Sequence, residues 1–414
     1  MTIVRRVTEP KVLAIVLAGG EGRRLSPLTE DRAKPAVPFG GSYRIIDFVL
    51  SNFANSRYLK IVVLTQYKSH SLDRHVSQTW RFSTLLGNYV TPVPAQMRRG
   101  PQWFAGSADA IYQNLNLISD EKPDVVCVFG ADHIYHMDVR QMVDEHLSTR
   151  AGVTVAAIPV PIEEAPSFGI IEAGPGNKIL DFHEKPLMPP QMPGDPTRAL
   201  ASMGNYVFST DALIEIVTPK GDAGPQDIGG DVIPALTKAG VANLYDFSTN
   251  EIPGQTEHER GYWRDVGSLD AYYEANMDLL AAVPHFSLYN TEWPVYSLQL
   301  PLPPAKLAYG RTGQQARVSN TLMSQGSIVS GGLVDGSVLS PEVFVDSDAE
   351  VTESILFPGV TIGHGARVHR CVIDKNVAVP PGYQIGIDLA ADRDRGFTVS
   401  ERGVVVIAKD RRIE

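Results

Sequence analysis

The chain has 414 residues, of which 43% are hydrophobic and 20% charged, with 36 Gly and 30 Pro. This composition excludes a disordered, collagen-like or coiled-coil protein, and the length predicts two or three domains because one hydrophobic core rarely serves so many residues. The net charge is −10, yet residues 1–100 carry 15 Lys and Arg against 6 Asp and Glu, which argues against nucleic-acid binding and indicates either a pocket for small polyanions or a solvated basic face.

The longest apolar run near the N-terminus, residues 12–20, is too short to span a bilayer and lacks the pattern of a signal peptide. The two cysteines, Cys127 and Cys371, lie far apart in apolar segments. Their spacing builds neither a disulfide framework nor a metal cluster. We therefore expect a cytoplasmic protein with no membrane partner.

Strand-like and helix-like segments alternate over the first 280 residues. The predicted strands are residues 12–17, 61–65, 125–129, 153–158 and 206–208, and the predicted helices are residues 107–119 and 137–150. This alternation predicts βαβ units, and therefore a Rossmann-like α/β domain with a mostly parallel sheet at residues 1–290.

The period of the sequence changes after a proline cluster at residues 300–304, which predicts a stiff linker over residues 291–310. Beyond the linker, aliphatic residues recur every 17 positions and, within each turn, every six positions. This hexapeptide-type repeat predicts a β-helix over residues 311–414, whereas a flat antiparallel sandwich would need hairpin turns instead of a fixed period. One series of the repeat is Ile328, Val345, Ile362 and Val379.

A glycine-rich loop follows the first predicted strand, and cations lie close to it in sequence. Glycines let backbone amides close on phosphate oxygens, while Arg23 or Arg24 and Lys34 add positive charge. The spacing is not that of a Walker loop, and the dinucleotide fingerprint would need a glycine where Leu25 stands. The loop glycines are Gly19, Gly20 and Gly22.

Ten short motifs span nearly the whole chain. They are LAGGEGRRLSPL at 17–28, RAKPAV at 32–37, GG at 40–41 with RIIDF at 44–48, TQYKSH at 65–70, GSADA at 106–110, GADHIY at 130–135, FG at 168–169, EKP at 184–186, SMGNY at 202–206 and YWRDVG at 262–267. In order and spacing they resemble those of sugar-nucleotide pyrophosphorylases, most closely the bacterial ADP-glucose pyrophosphorylases (glucose-1-phosphate adenylyltransferases). The resemblance implies an α/β domain joined to a left-handed β-helix, a homotetramer, and adenylyl transfer from ATP to glucose 1-phosphate for glycogen or α-glucan synthesis.

Such a transfer needs no general base, because a sugar phosphate is already an anion near neutral pH. The enzyme has to hold two polyanions together and neutralise their charge. The five catalytic candidates implied by the resemblance are Arg24, Lys34, Asp132, Lys185 and Asp265, with Mg²⁺ held by Asp132 and Asp265. The implied glucose 1-phosphate contacts are Phe104, Gly169, Glu184, Lys185 and Ser202, and the implied nucleotide contacts are Leu17, Gly19, Gly20, Gln96, Gly106 and Asp109.

The resemblance also implies a site for a sugar-phosphate activator at Arg32, Arg44 and Arg370. Enteric members of the family have a lysine and a histidine where this chain has Asp31 and Pro38. Because the lysine-to-aspartate change alters the site by two charges, we expect a hexose monophosphate such as glucose 6-phosphate to activate better than fructose 1,6-bisphosphate. An unregulated enzyme with salt-bridged arginines is the alternative.

Several other interpretations stay open at this stage. Asp132 could cap a helix, and Glu184 with Lys185 could form a surface ion pair. A related enzyme could use UTP, dTTP or GTP instead of ATP. A hexapeptide-repeat acyltransferase would use His364 or His369 of the repeat region, and a non-catalytic regulatory paralogue would have lost catalytic candidates, all five of which are present here.

Overall fold

A computed structural model describes residues 9–96, 103–219 and 224–414. The described residues form an α/β domain followed by a left-handed parallel β-helix, so the predicted fold class is confirmed. No helix in these ranges is long and apolar enough to cross a membrane.

The α/β domain contains strands β1 to β13 and helices α1 to α8. The strands are β1 (Val12–Ala18), β2 (Pro38–Phe39), β3 (Tyr43–Arg44), β4 (Lys60–Thr65), β5 (Tyr89–Pro94), β6 (Val125–Gly130), β7 (His133–Tyr135), β8 (Val153–Pro161), β9 (Gly169–Ala173), β10 (Ile179–Glu184), β11 (Arg198–Ser209), β12 (Ala242–Asp246) and β13 (Trp263–Asp265). The helices are α1 (Ile45–Asn55), α2 (His70–Thr79), α3 (Ser107–Gln113), α4 (Leu115–Glu121), α5 (Val139–Thr149), α6 (Thr210–Val217), α7 (Ile233–Lys238) and α8 (Leu269–Asp278). Short 3₁₀ turns include Arg23–Leu25 and Lys34–Ala36, and a π-helical turn spans Ile228–Val232.

All five predicted strands are present, but the predicted helix over residues 107–119 is wrong as a single element. It is divided into α3 and α4 at Asn114, whose side-chain amide donates to the carbonyl of Ala110 at 2.8 Å. Asparagine amides compete in this way with backbone hydrogen bonding. The other predicted helix begins at Val139, because the carboxylate of Asp138 caps it by accepting from the amide of Arg140.

The central sheet has the order β10-β9-β11-β6-β1-β4-β5, and β8 and β12 extend it from β11. Strands β6, β1, β4 and β5 are parallel, whereas β11 runs antiparallel to β6 and β8. Parallel strands end at the same edge of a sheet. The loops that follow β1, β4 and β6 therefore lie side by side, and they contain the predicted phosphate loop, Gln66 and Asp132.

The β-helix stacks short strands into three sheets. They are β14 (Lys306–Ala308), β15 (Arg317–Ser319), β16 (Leu322–Met323), β17 (Ile328–Ser330), β18 (Leu333–Asp335), β19 (Val338–Leu339), β20 (Phe344–Val345), β21 (Glu350–Thr352), β22 (Ile355–Leu356), β23 (Thr361–Ile362), β24 (Arg367–His369), β25 (Cys371–Ile373), β26 (Ala378–Val379), β27 (Gln384–Ile385), β28 (Thr398–Val399) and β29 (Val405–Ile407), with helix α9 (Leu389–Asp394) before β28. Strand β14 already pairs with β17, although it lies within the range predicted as linker. The three predicted domain ranges stay predictions.

The 17-residue register holds for Val345, Ile362 and Val379, which stack directly on one another. It is wrong for Ile328, which pairs with Phe344 and is only half-buried. Val329 takes the inward position above Val345, because this turn of the β-helix is one residue shorter than the next two.

The two domains share one apolar core. This core includes Ile355 and Phe357 of the β-helix. It also includes Val266, which precedes α8, and Leu269 and Tyr272 in the first turns of α8. A buried ion pair lies beside this core, with Arg32 Nη2 2.8 Å from both carboxylate oxygens of Asp374. The segment that leads to Lys34 is therefore fastened to the β-helix by charge as well as by apolar contact.

Replacing Asp374 with Ala should destabilise the protein by about 3–5 kcal/mol, because the buried guanidinium of Arg32 would lose its counter-charge. The control is Glu350→Ala, which removes an exposed ion pair with Arg367 and should cost less than about 1 kcal/mol. Denaturant unfolding followed by circular dichroism measures both losses. Equal destabilisation by the two substitutions would contradict the structural role of the Arg32–Asp374 pair.

Candidate active site

The ammonium of Lys34 lies between two carboxylates at the carboxyl edge of the sheet. Its Nζ is 2.9 Å from Asp132 Oδ2 and 3.1 Å from Asp265 Oδ1. Burial opposes the charged form of Lys34, but the two carboxylates outweigh it and raise the lysine pKa. Burial likewise disfavours the Asp132 carboxylate, yet Lys34 and His133 hold the pKa of Asp132 well below its usual value. Lys34 and Asp132, two members of this Lys34–Asp132–Asp265 triad, are therefore both charged at neutral pH.

The two aspartates also offer a site for a divalent cation. Strand β13 pairs with β7 so that Asp265 lies opposite His133, and Asp132 immediately precedes β7. Ligand atoms of Asp132, His133 and Asp265 lie within 4.8 Å of one another, the one such cluster in the described part of the chain. Because carboxylate oxygens are the ligands that Mg²⁺ prefers, the donor set fits the metal that the sequence predicts.

The glycine-rich loop, together with Lys34 and Asp132 of the triad, lines a cavity of about 420 Å³ that also includes Gly20 and Arg24. Gly22 has a φ of +64°, and a Cβ there would lie 2.8 Å from the Cβ of Lys34. A Cβ on Gly20, in contrast, would meet no protein atom within 4 Å. Gly22 is thus required by the protein itself, whereas Gly20 leaves open space in the cavity.

Gly267 leaves space beside Asp265. It was not among the predicted site residues. A Cβ on Gly267 would lie 2.6 Å from Asp265 Oδ2 and 3.0 Å from Arg24 Nη2. The absence of this side chain lets the guanidinium of Arg24 approach the Asp265 carboxylate. The signal in the sequence was the glycine that ends the YWRDVG motif.

A second cavity of about 400 Å³ adjoins the first and includes Leu17, Gly19, Gly20 and Gly106. Phe104 also lines this cavity, so the structure places it on the predicted nucleotide side and not beside the predicted sugar contacts. The side chain of Gln66, which sequence reasoning missed, holds the Phe104 backbone by accepting from its amide at 2.8 Å.

Three predicted nucleotide contacts have other surroundings in the structure. Gly106 allows a close backbone approach, because a Cβ there would lie 2.3 Å from the carbonyl oxygen of Gln226. Asp109 Oδ2 accepts from the backbone amide of Ala105 at 2.9 Å and so shapes the loop. Gln96 is exposed beyond the end of β5 and lines neither of the two cavities.

The predicted sugar contacts gather at the end of β10. Glu184 lies between two glycines. A Cβ on Gly169 would lie 3.0 Å from Glu184 Oε2, and a Cβ on Gly229 would lie 2.7 Å from the same oxygen. Lys185 follows with a φ of +47°, and its ammonium is 2.7 Å from Glu184 Oε1. Lys185 remains 63% exposed, so its charge is accessible to a ligand.

Ser202 lies in β11 where the pairing with β8 shifts register, between Ser202 and Tyr206. Register shifts of this kind redirect side chains beside active sites. Burial, followed by the nearby Glu184 and Asp227 carboxylates, raises the pKa of Tyr206, although the Ser202 side chain acts in the opposite direction. Sequence reasoning missed Tyr206 and Asp227, although Tyr206 ends the SMGNY motif.

A groove of about 1110 Å³ includes both Asp265 and the aromatic side chains of Trp263 and Phe168. The Trp263 ring lies 4.8 Å from His133 and 5.4 Å from Phe168, measured between ring centroids. The carbonyl of Phe168 in turn accepts from the amide of Lys185. The aromatic contacts thus link the predicted metal site to the predicted sugar site.

Residues 13–282 match the nucleotidyl transferase family, and residues 303–407 match the GlmU-like C-terminal hexapeptide family. Glucose-1-phosphate adenylyltransferase of Frankia casuarinae is 56% identical over 405 residues, which cover 97% of this chain and 98% of the relative. The homologue of Bifidobacterium adolescentis, with the same printed name, is 53% identical over 404 residues, with coverage of 97% and 98%. This chain belongs to the glucose-1-phosphate adenylyltransferase family. The resemblance inferred from the ten motifs is confirmed.

Of the three arginines predicted for the activator site of this family member, one lines a cavity between the domains. Arg44 and Lys375 line a cavity of about 190 Å³ between the two domains. Burial, followed by the charges of Arg44 and Arg32, lowers the pKa of Lys375 to about 7. A phosphate group bound there would relieve this repulsion between cations.

Arg32 and Arg370 do not line that cavity. Arg32 is buried, and its guanidinium is occupied by Asp374. Arg370 lies over the ring of Tyr273 at 5.2 Å and is 3.6 Å from Glu353. The structure therefore does not join the three predicted arginines around this cavity, which Arg44 lines together with Lys375, a residue that sequence reasoning missed.

Gly20→Ala should raise the KM for ATP at least about tenfold, a loss of about 1.4 kcal/mol, because the methyl group would enter the loop cavity. The matched control is Gly22→Ala, which forces a side chain into a left-handed backbone against Lys34 and should cost about 1–3 kcal/mol of stability. Steady-state kinetics and thermal unfolding separate the two effects. A normal KM in Gly20→Ala would show that phosphates do not approach this part of the loop.

Proposed function

We propose that this chain catalyses the reaction for which its relatives are named, the transfer of the adenylyl group of ATP to α-D-glucose 1-phosphate. The products are ADP-glucose, for glycogen or α-glucan synthesis, and pyrophosphate. The observation that carries the proposal is the Lys34–Asp132–Asp265 triad, of which Lys34 and Asp132 line the glycine-rich cavity. A charged triad beside space for phosphates is what phosphoryl-group chemistry requires.

In the proposed reaction, a phosphate oxygen of the sugar phosphate attacks the α-phosphorus of ATP. The bond from the α-phosphorus to the bridging oxygen breaks, and pyrophosphate leaves with the electron pair. No proton has to move. The chain contributes by orienting both anions and by placing the cations of Arg24 and Lys34 beside the triphosphate. Asp132 and Asp265 would hold Mg²⁺, which neutralises phosphate charge when bound.

For the sugar phosphate, Lys185 supplies the cation and Glu184 accepts hydrogen bonds from sugar hydroxyls. Gly169 keeps the space beside Glu184 free, and Ser202 adds a hydroxyl on the neighbouring strand. The support is the cluster of these residues around the end of β10. The nucleotide is expected in the cavity lined by Leu17, Gly19, Gly20 and Gly106, and contacts from Gln96 and Asp109 stay predictions.

Three further features are proposed on the family resemblance. Mg²⁺ is the expected metal, and the carboxylate pair supports a hard cation. The chain is expected to form a homotetramer, which sedimentation would test. We also propose that the enzyme works in the cytoplasm.

Pyrophosphate release with ATP and glucose 1-phosphate tests the function. ATP should support turnover at least about tenfold faster than UTP, dTTP or GTP. Asp132→Asn and Asp265→Asn should lower the rate by about two orders of magnitude or more, because each removes a metal-binding charge with little change in volume. The control is Asp181→Asn, which changes an exposed carboxylate on β10. Near-normal turnover in either active-site variant would remove that residue from the mechanism.

The proposed activation by a hexose monophosphate rests on Arg44 and Lys375. Glucose 6-phosphate should activate more strongly than fructose 1,6-bisphosphate, and Arg44→Ala should raise the half-activating concentration at least about tenfold, since one cation is lost. Arg370→Ala is the control and should leave activation unchanged, because Arg370 does not line the cavity. Stronger activation by the bisphosphate, or normal activation of Arg44→Ala, would contradict the proposal.

A further inference from the structure

Lys34 takes up the carboxylate oxygens that a divalent cation would need. The oxygens closest to its ammonium are Asp132 Oδ2 and Asp265 Oδ1, one on each side of the proposed metal site. The side chain of Lys34 is only 9% exposed, so water contributes little to its solvation. The two aspartates are therefore the main counter-charges of this ammonium.

The backbone of Lys34 is fixed, but its side chain has freedom at one end. Lys34 begins a short 3₁₀ turn, and its neighbours Ala33, Pro35 and Ala36 are buried. Gly22 packs closely against Lys34, since a Cβ on Gly22 would lie only 2.8 Å from the Cβ of Lys34. Three bonds beyond that carbon can rotate to move the ammonium, which is a compact charge on a flexible stem.

The ammonium of Lys34 has a second possible position, in the adjoining cavity. Lys34 lines the same cavity as Gly20 and Arg24, where the proposed function puts the triphosphate. A triphosphate there would offer the ammonium new oxygens in exchange for those of Asp132 and Asp265. Without a triphosphate, the side chain would leave two carboxylates for a cavity whose other lining carboxylate, Glu21, is already paired with Arg23.

An ammonium and a divalent cation on the same oxygens would repel each other. A magnesium-type ion binds oxygen at 2.0–2.1 Å, while the ammonium lies about 3 Å from one oxygen of each carboxylate. Two positive charges this close in a partly buried site interact strongly, because little water screens them. Both cations cannot share the pair in this arrangement.

We propose that Lys34 and the divalent cation are alternative occupants of the Asp132–Asp265 pair. Lys34 keeps a free cation out of the site and leaves the carboxylates only when a nucleoside triphosphate in the adjoining cavity offers it phosphate oxygens. The cation therefore enters as its complex with the nucleotide. This inference rests on the proposed function, which puts the metal at these two aspartates.

The test is the binding of Mn²⁺ alone to the full-length protein without nucleotide, followed by electron paramagnetic resonance of the free ion. Lys34→Met should bind Mn²⁺ at least about tenfold more tightly than the wild type, since it removes the competing charge. Lys185→Met is the matched control, because it removes a nearby lysine charge that pairs with Glu184 instead. Its Mn²⁺ affinity should equal that of the wild type.

A second substitution separates this inference from the proposed function. Adding Asp265→Asn to Lys34→Met should abolish the gained affinity. If Mn²⁺ binding requires Asp265 but is no tighter in Lys34→Met than in the wild type, competition by Lys34 is overturned and the proposed metal site remains. If Asp265→Asn leaves Mn²⁺ binding unchanged, both the competition by Lys34 and the proposed metal site are overturned. An equal gain in Lys185→Met would also overturn competition, because it would reveal a general charge effect.

Thermal unfolding tests the proposal even if Lys34→Met is less stable than the wild type, because the rise in unfolding temperature caused by Mn²⁺ is measured within each variant. An ion that binds only the folded state raises the unfolding temperature, and at a given concentration the rise is larger when the ion binds more tightly. Mn²⁺ should therefore raise the unfolding temperature of Lys34→Met, and of the milder Lys34→Gln, by more than it raises that of the wild type. An equal or smaller rise in both variants would contradict the proposal.

Discussion

The ion triad of Lys34, Asp132 and Asp265 is the constraint on which the rest of the structure depends. Lys34 is 98 positions from Asp132 and 231 from Asp265, so three distant segments have to meet within hydrogen-bond distance. Charges that are mostly removed from water are tolerated only when they are paired this closely. The carboxyl edge of the parallel strands delivers one carboxylate, and the pairing of β7 with β13 delivers the other.

The β-helix takes part in this arrangement, although it supplies no residue to the triad. It holds the segment before Lys34 through the Arg32–Asp374 pair, and it holds the segment after Asp265 through the shared core at α8. A displacement of the β-helix would therefore reach the lysine and one of its carboxylates together. This gives a physical route from the cavity at Arg44 and Lys375 to the active site, because that cavity lies between the same two domains.

Glycines mark the places where backbone, ligand and charge have to come close. Gly22, Gly169 and Gly267 each leave out a side chain that would collide with Lys34, Glu184 or Asp265. Gly20 differs from them, because its missing side chain leaves open space that the cavity makes accessible to a ligand. A site for two polyanions needs both kinds of glycine: some bring the protein's own charges together, and others let phosphates approach the backbone.

The sequence by itself determined the parts of this protein that local periodicity and motifs encode. These are the alternating α/β elements, the stacked turns of the β-helix, the family, and the charged residues later found in the triad. Local patterns could not detect a one-residue change in turn length, which moved the inward position from Ile328 to Val329.

Only the tertiary structure decided which distant side chains meet. It paired Arg32 with Asp374 across 342 positions, placed Phe104 on the nucleotide side, and put Lys375 beside Arg44. The physical reason is that a sequence pattern records the burial and conformation of neighbouring residues. Contacts between segments hundreds of positions apart depend instead on how sheets and domains pack, which no local pattern contains.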